Sequence, residues 1–406
     1  MFDEIVYDVE RRALRRLSVA ESETGVLGQP WDARSAPCWL TPGWIDLQVN
    51  GLLGQPFNAE TLTTEAVHRI TRRLWQEGVA QYCPTLITDR VDRLEHALRT
   101  IARAAQDEPE GRAIVGIHLE GPFISPETGP RGAHPAEHVC DPDRGLFERL
   151  QEAAQGLITL VTLAPERPGA LALIEWLRTA GVIPAIGHTA AAPELIHEAA
   201  AAGALLATHV GNAAHEHLHR HRNYIYAQLA DERLMASFIA DGHHLPPGVL
   251  RIFVRAKSPE RSILVSDIMH WAGMEPGVYE WEHLKVEVTR EGRAQIVGEP
   301  RLAGATTYLA ACITNAAAWC ALDLETALAM AAQNPRKLLQ ISPVARQRLK
   351  YATHTLLCDG RPAGVVFDGH FCWLDSDRLR RAPTASSAAQ SSSTGSDSPA
   401  SQRAKT

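Results

Sequence analysis

The 406-residue chain lacks any apolar run near the ~20 residues that a membrane helix needs. It lacks a basic excess as well: 40 Lys and Arg stand against 47 Asp and Glu, a formal charge of -7, so no global positive field draws it to nucleic acid. The acidic start Met1-Phe2-Asp3-Glu4 has neither the basic region nor the apolar core of a signal peptide, which predicts a cytosolic protein. Cysteine is sparse. The seven, at 38, 83, 140, 312, 320, 358 and 372, are odd in number and show no C-x-x-C spacing, so reduced thiols are expected rather than disulfides or a zinc cluster. What is plentiful is apolar residues, at 45%, enough for a large core, and histidine, at 18. Five histidines (209, 215, 217, 219 and 221) fall within thirteen residues.

The clearest local signal is residues 113–125, where a β-branched apolar run ends at Glu120 and Gly121-Pro122 stops it. In a parallel α/β protein, ligands and chemistry sit at the carboxyl ends of strands, so Glu120 is delivered to the useful end. The pattern repeats. Strand-like runs end at Gln48 and Asn50, at Leu86, at Glu120, at Leu163, at His188, at His209, at Asp241 and at Asp267. Helical periodicity falls between them near 62–77, 89–106, 143–155 and 168–180, and Pro193 opens a further helix. Eight strands with intervening helices predict an α/β fold, a (β/α)8 TIM-like barrel.

Residues 1–40 plus 345–381 read as a small β-sandwich appendage built from both ends of the chain, and 41–344 as the barrel. Alternation between Tyr279 and Val297 predicts an inserted hairpin. A helix is expected to follow from Leu302-Ala-Gly-Ala-Thr-Thr307 to about 320, and another over 324–340. Residues 382–406, with eight serines and no large apolar side chain, are expected to be disordered.

One carboxylate and two imidazoles at strand ends, Glu120, His188 and His209, form a three-ligand set for a divalent metal with a coordination position left over. Such an ion activates water near neutral pH, and Asp267 on the last strand is placed to move its proton to a leaving amine. Taken singly, a strand-end histidine is more often structural than ligating, and an aspartate after a strand is commonly a helix cap. The constellation is what points to amide hydrolysis.

Seven ordered motifs carry a resemblance: Pro42-Gly-Trp-Ile-Asp-Leu-Gln-Val-Asn-Gly51, His118-Leu-Glu-Gly-Pro-Phe123, Gly187-His-Thr-Ala190, Thr208-His209 with Asn212-Ala213, Ala240-Asp-Gly-His-His244, Leu264-Val-Ser-Asp267 and Leu302-Ala-Gly304. Over roughly residues 40–340 the chain resembles the N-acetylglucosamine-6-phosphate deacetylases of the amidohydrolase superfamily. The resemblance implies hydrolysis of the acetamide of N-acetylglucosamine 6-phosphate in a homodimer whose phosphate contacts cross the interface. It implies Glu120, His188 and His209 as metal ligands, Asp267 as general acid and base, and His134 beside the scissile carbonyl. It implies substrate contacts at Gln48, Asn50, Asn212, Ala213, His244, Leu302, Ala303 and Gly304. Gln48 and Asn50 stand where many amidohydrolases carry a His-x-His pair for a second ion, so one divalent ion per subunit is implied, zinc first, with iron, cobalt or manganese also compatible. Arg220 or Arg222, in His215-Glu-His-Leu-His-Arg-His-Arg222, is the expected phosphate contact. After Asp267 the bulky Ile-Met-His270-Trp271 predicts a reshaped sugar pocket. Two other readings stay open: an amidohydrolase for another N-acyl or cyclic amide, and a non-catalytic sugar-phosphate-binding relative.

Overall fold

Eight parallel strands in one sheet, taken in chain order, frame the molecule: Trp44–Val49, Val79–Ile87, Ile117–Glu120, Ile158–Leu163, Ile183–Ile186, Leu206–Ala207, Met235–Ile239 and Ser262–Val265. The structure, a computed structural model, describes residues 2–8, 13–20, 23–28, 38–281, 284–299 and 301–375. The serine-rich stretch 382–406, for which disorder is expected, lies outside the described residues. The first and last strands meet where the Asn50 amide donates to the Ile268 carbonyl at 2.8 Å and the Ser266 amide to the Asp46 carboxylate at 3.2 Å. The sheet thereby curls into the expected barrel.

Helices cover the outside because their apolar residues recur on one face. Thr64–Gln76 buries Val67, Ile70 and Leu74, and its first turn is capped by Thr63, whose hydroxyl accepts from the Ala66 amide. Asp143 caps Arg144–Ala153 in the same way through the Leu146 amide at 2.6 Å. These faces join strand residues such as Leu119, Val161, Ile186 and Phe238 in one core. Each fully buried Leu or Ile there contributes about 1.5–3 kcal/mol of transfer free energy.

Four expectations are corrected. Cys38 and Cys358 are joined in a disulfide, and the other five cysteines are free. The two lie 320 residues apart but directly opposite in the antiparallel pair formed by Cys38–Pro42 and Thr353–Cys358, a pairing that spacing along the chain does not reveal. The insertion is a four-stranded antiparallel sheet, Gly277–Trp281, Leu284–Val288, Arg293–Ile296 and Leu302–Ala305. Leu302–Ala305 is thus a strand, and the helix begins only at Leu309. The last helical stretch breaks at Ala332 into Leu324–Ala331 and Gln333–Leu339, which puts Pro335 in a first turn where its missing N–H costs nothing.

Strands from both ends of the chain, Phe2–Asp8, Ala13–Ala20, Glu23–Gly28 and Cys38–Pro42 with Thr353–Cys358, Arg361–Phe367 and His370–Leu374, share one seven-stranded sheet. Among the described residues no helix is long and apolar enough to cross a membrane.

Candidate active site

Glu120 ends the third barrel strand, and His188, His209 and Asp267 follow the fifth, sixth and eighth strands within two residues. His188, His209 and Asp267 all have left-handed backbone, with φ of 50°, 30° and 50°. Such angles are costly for residues with a Cβ and are maintained where surrounding structure over-determines them. Here the turn redirects each side chain from the strand into the barrel mouth. The Ser237 hydroxyl helps to hold His209 by accepting its backbone N–H at 2.8 Å.

Three atoms converge. Glu120 Oε1 lies 3.2 Å from His188 Nε2 and 2.9 Å from His209 Nε2, and the two ring nitrogens are 3.1 Å apart. Ligands about 2.0–2.1 Å from a tetrahedral ion would stand roughly 3.3–3.4 Å apart, so the trio needs to open only by tenths of an ångström. His188 Nδ1–H donates to the Pro130 carbonyl at 2.9 Å, which turns the Nε2 lone pair toward Glu120. A carboxylate oxygen and an imidazole lone pair so close together require positive charge between them. Burial alone would push the Glu120 carboxyl up, but the His188 and His209 rings against it hold it well below its ordinary value. Burial likewise opposes a charged His209, yet the bond to Glu120 raises it. His209 Nδ1 is buried without a partner among the described residues.

Glu120, His134 and His188 also lie close enough to share an ion. His134, however, accepts the Thr88 amide (3.3 Å) and pairs with the Thr88 hydroxyl (2.8 Å) through Nδ1, and this leaves the proton on Nε2. A protonated nitrogen is a donor, not a ligand. His209, whose Nε2 is in van der Waals contact with both other donors, completes the set better than His134, whose Nε2 stands 3.9 Å from Glu120 Oε2. Burial, then the neighbouring His188, holds His134 well below the ordinary histidine range, so at neutral pH it offers an uncharged Nε2–H.

Asp267 Oδ1 accepts from Asn50 Nδ2 at 2.7 Å. Burial, followed by the charge on Glu120, pushes its carboxyl up to about 6, a suitable range for a group that both takes and returns a proton. His244 is oriented by Asp241, whose carboxylate accepts its Nδ1–H at 2.7 Å and the amides of His243 and His244 at 2.8 Å each.

A cavity of about 680 Å³ opens over these groups, and Asn50, Glu120, His134, His188, His209, Asn212, Ala213, His244, Asp267 and Leu302 to Gly304 all line it. Three expected contacts are not brought there. Gln48 is buried behind Glu120 and donates to its Oε1 at 2.8 Å, so it supports a ligand rather than facing a substrate. Arg220 and Arg222 are exposed and absent from the lining, and Arg222 pairs with Glu194 at 2.9 Å on the surface. His270 and Trp271 do not wall the pocket either. Both are buried beneath the inserted sheet, with Trp271 Nε1 donating to the Ala303 carbonyl at 3.1 Å.

Sequence reasoning missed two residues. His118 lies one layer below Glu120, its Nδ1–H on the Leu47 carbonyl (3.2 Å) and its Nε2 bonded to the Thr162 hydroxyl (2.7 Å), and the two-residue spacing within His118-Leu-Glu120 was the available signal. Arg301 reaches the cavity from the inserted sheet, and nothing local in the sequence marks it.

A parallel barrel whose strand ends gather a carboxylate, two imidazoles and a separate aspartate defines a hydrolase of the metal-dependent amidohydrolase class. The chain belongs to the amidohydrolase family, whose model matches residues 39–345. Within that family its curated relatives include N-acetylglucosamine-6-phosphate deacetylases. It is 35% identical to that of Bacillus subtilis over 65% of this chain and 66% of the relative, and 34% identical to that of Bos taurus over 74% and 75%. An N-acetylgalactosamine-6-phosphate deacetylase of Escherichia coli O157:H7 is 30% identical over 75% of this chain and 79% of that protein. Among solved structures, the N-acetyl-D-glucosamine-6-phosphate deacetylase of Mycobacterium smegmatis, captured as a mutant with N-acetyl-D-glucosamine-6-phosphate, superposes with a TM-score of 0.76 at 30% identity, covering 88% of this chain and 94% of its own.

Proposed function

We propose that this chain hydrolyses the acetamide of N-acetylglucosamine 6-phosphate to glucosamine 6-phosphate and acetate. The observation that carries this reading is the convergence of Glu120, His188 and His209 within 2.9–3.2 Å at a barrel mouth that also holds Asp267. These three would hold one divalent ion. The His2Glu donor set suits zinc, with iron, cobalt and manganese following availability. Such an ion would supply Lewis acidity for the amide carbonyl and lower the pKa of water so that hydroxide is available near neutral pH.

The remaining work falls to side chains. Asp267 takes the proton of the attacking water and returns it to the leaving nitrogen, so the product departs as an amine. Asn50 aims Asp267 through the hydrogen bond at 2.7 Å. The His134 Nε2–H donates to the carbonyl oxygen as negative charge develops there, a role that requires the neutral tautomer described above. Gln48 steadies Glu120, and its amide disfavours a second ion at that position. The sugar phosphate lies along Asn212, Ala213 and His244, with Leu302, Ala303 and Gly304 opposite. Arg220, outside the cavity of its own subunit, would serve a partner's phosphate in a homodimer. The domain division into appendage (1–40 plus 345–381) and barrel (41–344) belongs to the same proposal.

The test is acetate release by purified protein of measured metal content, from N-acetylglucosamine 6-phosphate, its galactosamine epimer and the unphosphorylated sugar. Preferential release from the first, lost with a chelator and restored by a divalent ion, is expected. Equal release from the epimer would widen the substrate class, and no release from any of the three would overturn the reading.

A further inference from the structure

The cavity is walled by Glu120, Asp267 and Glu216, and among the described residues Arg301 is the only lysine or arginine in its lining. Arg301 directly precedes the Leu302–Ala305 strand and extends toward the barrel from the inserted sheet. Its Nε–H donates to Glu299 at 2.6 Å, its Nη2 lies 2.5 Å from the same carboxylate oxygen, and its Nη1 donates to the Gly132 carbonyl at 3.3 Å. A guanidinium has five N–H groups. Three are engaged, so two remain, and the side chain keeps 38% of its surface exposed.

Gly132 fixes where those two donors sit. A methyl placed on it would lie 3.7 Å from the Ala213 side chain and 3.3 Å from the His188 ring, and one on Gly129 would lie 3.1 Å from His215 Cα. The 129–132 loop therefore packs on the 213–215 segment, and Arg301, bonded to that loop, stands beside the segment to which the sugar phosphate is assigned. A phosphate dianion in a cavity that Glu216 also lines is favoured by a compensating fork-shaped cation, and Arg301 is the one in its described lining.

We propose that Arg301 is a specificity-determining residue that binds the substrate's phosphate from within the same subunit, sharing its donors between Glu299 and the ligand. This rests on the functional reading above.

Two measurements on Arg301→Gln and Arg301→Lys test it: steady-state kinetics with phosphorylated and unphosphorylated N-acetylglucosamine, and calorimetric binding of inorganic phosphate to the metal-loaded protein. Losing a charge-assisted pair should raise KM for the phosphorylated sugar and Kd for phosphate roughly ten- to hundred-fold in Arg301→Gln, and less in Arg301→Lys. The kcat, and kcat/KM for the unphosphorylated sugar, should stay within a few-fold, and Glu299→Gln should lower KM. Unchanged phosphate affinity, or an equal loss with both sugars, would overturn the proposal and make Arg301 a clamp between the inserted sheet and the 129–132 loop. Wild-type protein that binds phosphate through Arg301 yet releases no acetate would instead overturn the deacetylase reading and leave the anion site standing.

Discussion

Replacing Asp267 with asparagine separates its two effects, on chemistry and on stability. The substitution keeps the shape and still offers an oxygen to Asn50, whose Nδ2 donates to Asp267 at 2.7 Å, but it removes the only function a proton carrier has. Turnover should fall about 10²–10⁴-fold, while metal content stays the same because Asp267 is outside the Glu120–His188–His209 trio. Stability moves the other way. Burial, then Glu120, raises the Asp267 carboxyl from 3.8 to about 6. Two pKa units correspond to roughly 3 kcal/mol, so ionised Asp267 opposes folding by about that much at neutral pH. The folded state holds this proton more tightly than the unfolded chain does, so the penalty is absent below pH 3.8, grows as pH rises toward 6 and is complete above it. Metal-free Asp267→Asn protein should therefore denature at equal or higher urea concentration than metal-free wild type at pH 7.5, and the difference should vanish near pH 4. With a divalent cation bound nearby the carboxyl titrates lower, so the acidic limb of kcat/KM should fall below pH 6 and disappear in the variant. Activity within tenfold of wild type, or an unaltered acidic limb, would refute the assignment.

Gln48→Ala removes the 2.8 Å hydrogen bond that steadies Glu120 and should weaken metal affinity 10–100-fold in a chelator competition while leaving the thermal midpoint of metal-saturated protein nearly unchanged. Thr88→Val deletes the hydroxyl at 2.8 Å from His134 Nδ1, which should lower kcat about tenfold with little change in KM, as loss of a transition-state contact requires. Lys257→Met strips buried carbonyls of Gln228 and Asp231 of a donor at 2.8 and 2.7 Å, and urea titration should register a loss of about 1–3 kcal/mol with kinetics intact.

The elements that were legible in the sequence are those specified locally. Glu120 stands out because an apolar run delivers it and Gly121-Pro122 ends the run, and His188, His209 and Asp267 follow the same grammar. Periodicity likewise located Thr64–Gln76, Val91–Ala104 and Ala170–Thr179. What escaped was set by partners distant in sequence. The Cys38–Cys358 bond depends on register between strands 320 residues apart, and the role of Gln48 depends on a carboxylate 72 residues away. Leu302–Ala305 reads as a helix entrance from its small residues, yet it pairs with Arg293–Ile296, because that edge and the Met269 amide, which donates to the Ala305 carbonyl at 2.8 Å, satisfy its backbone.

The seven-stranded sheet has a consequence for how the protein is made. Cys38–Pro42 sits between Phe2–Asp8, which precedes it in the chain, and Thr353–Cys358, whose Cys358 follows Cys38 by 320 residues. While the ribosome is still producing the barrel, that strand offers an open edge to any neighbouring nascent chain. Completion of the sheet is thus deferred until the whole barrel has been synthesised, and yield on overexpression should depend on how well chaperones shield that edge in the interval.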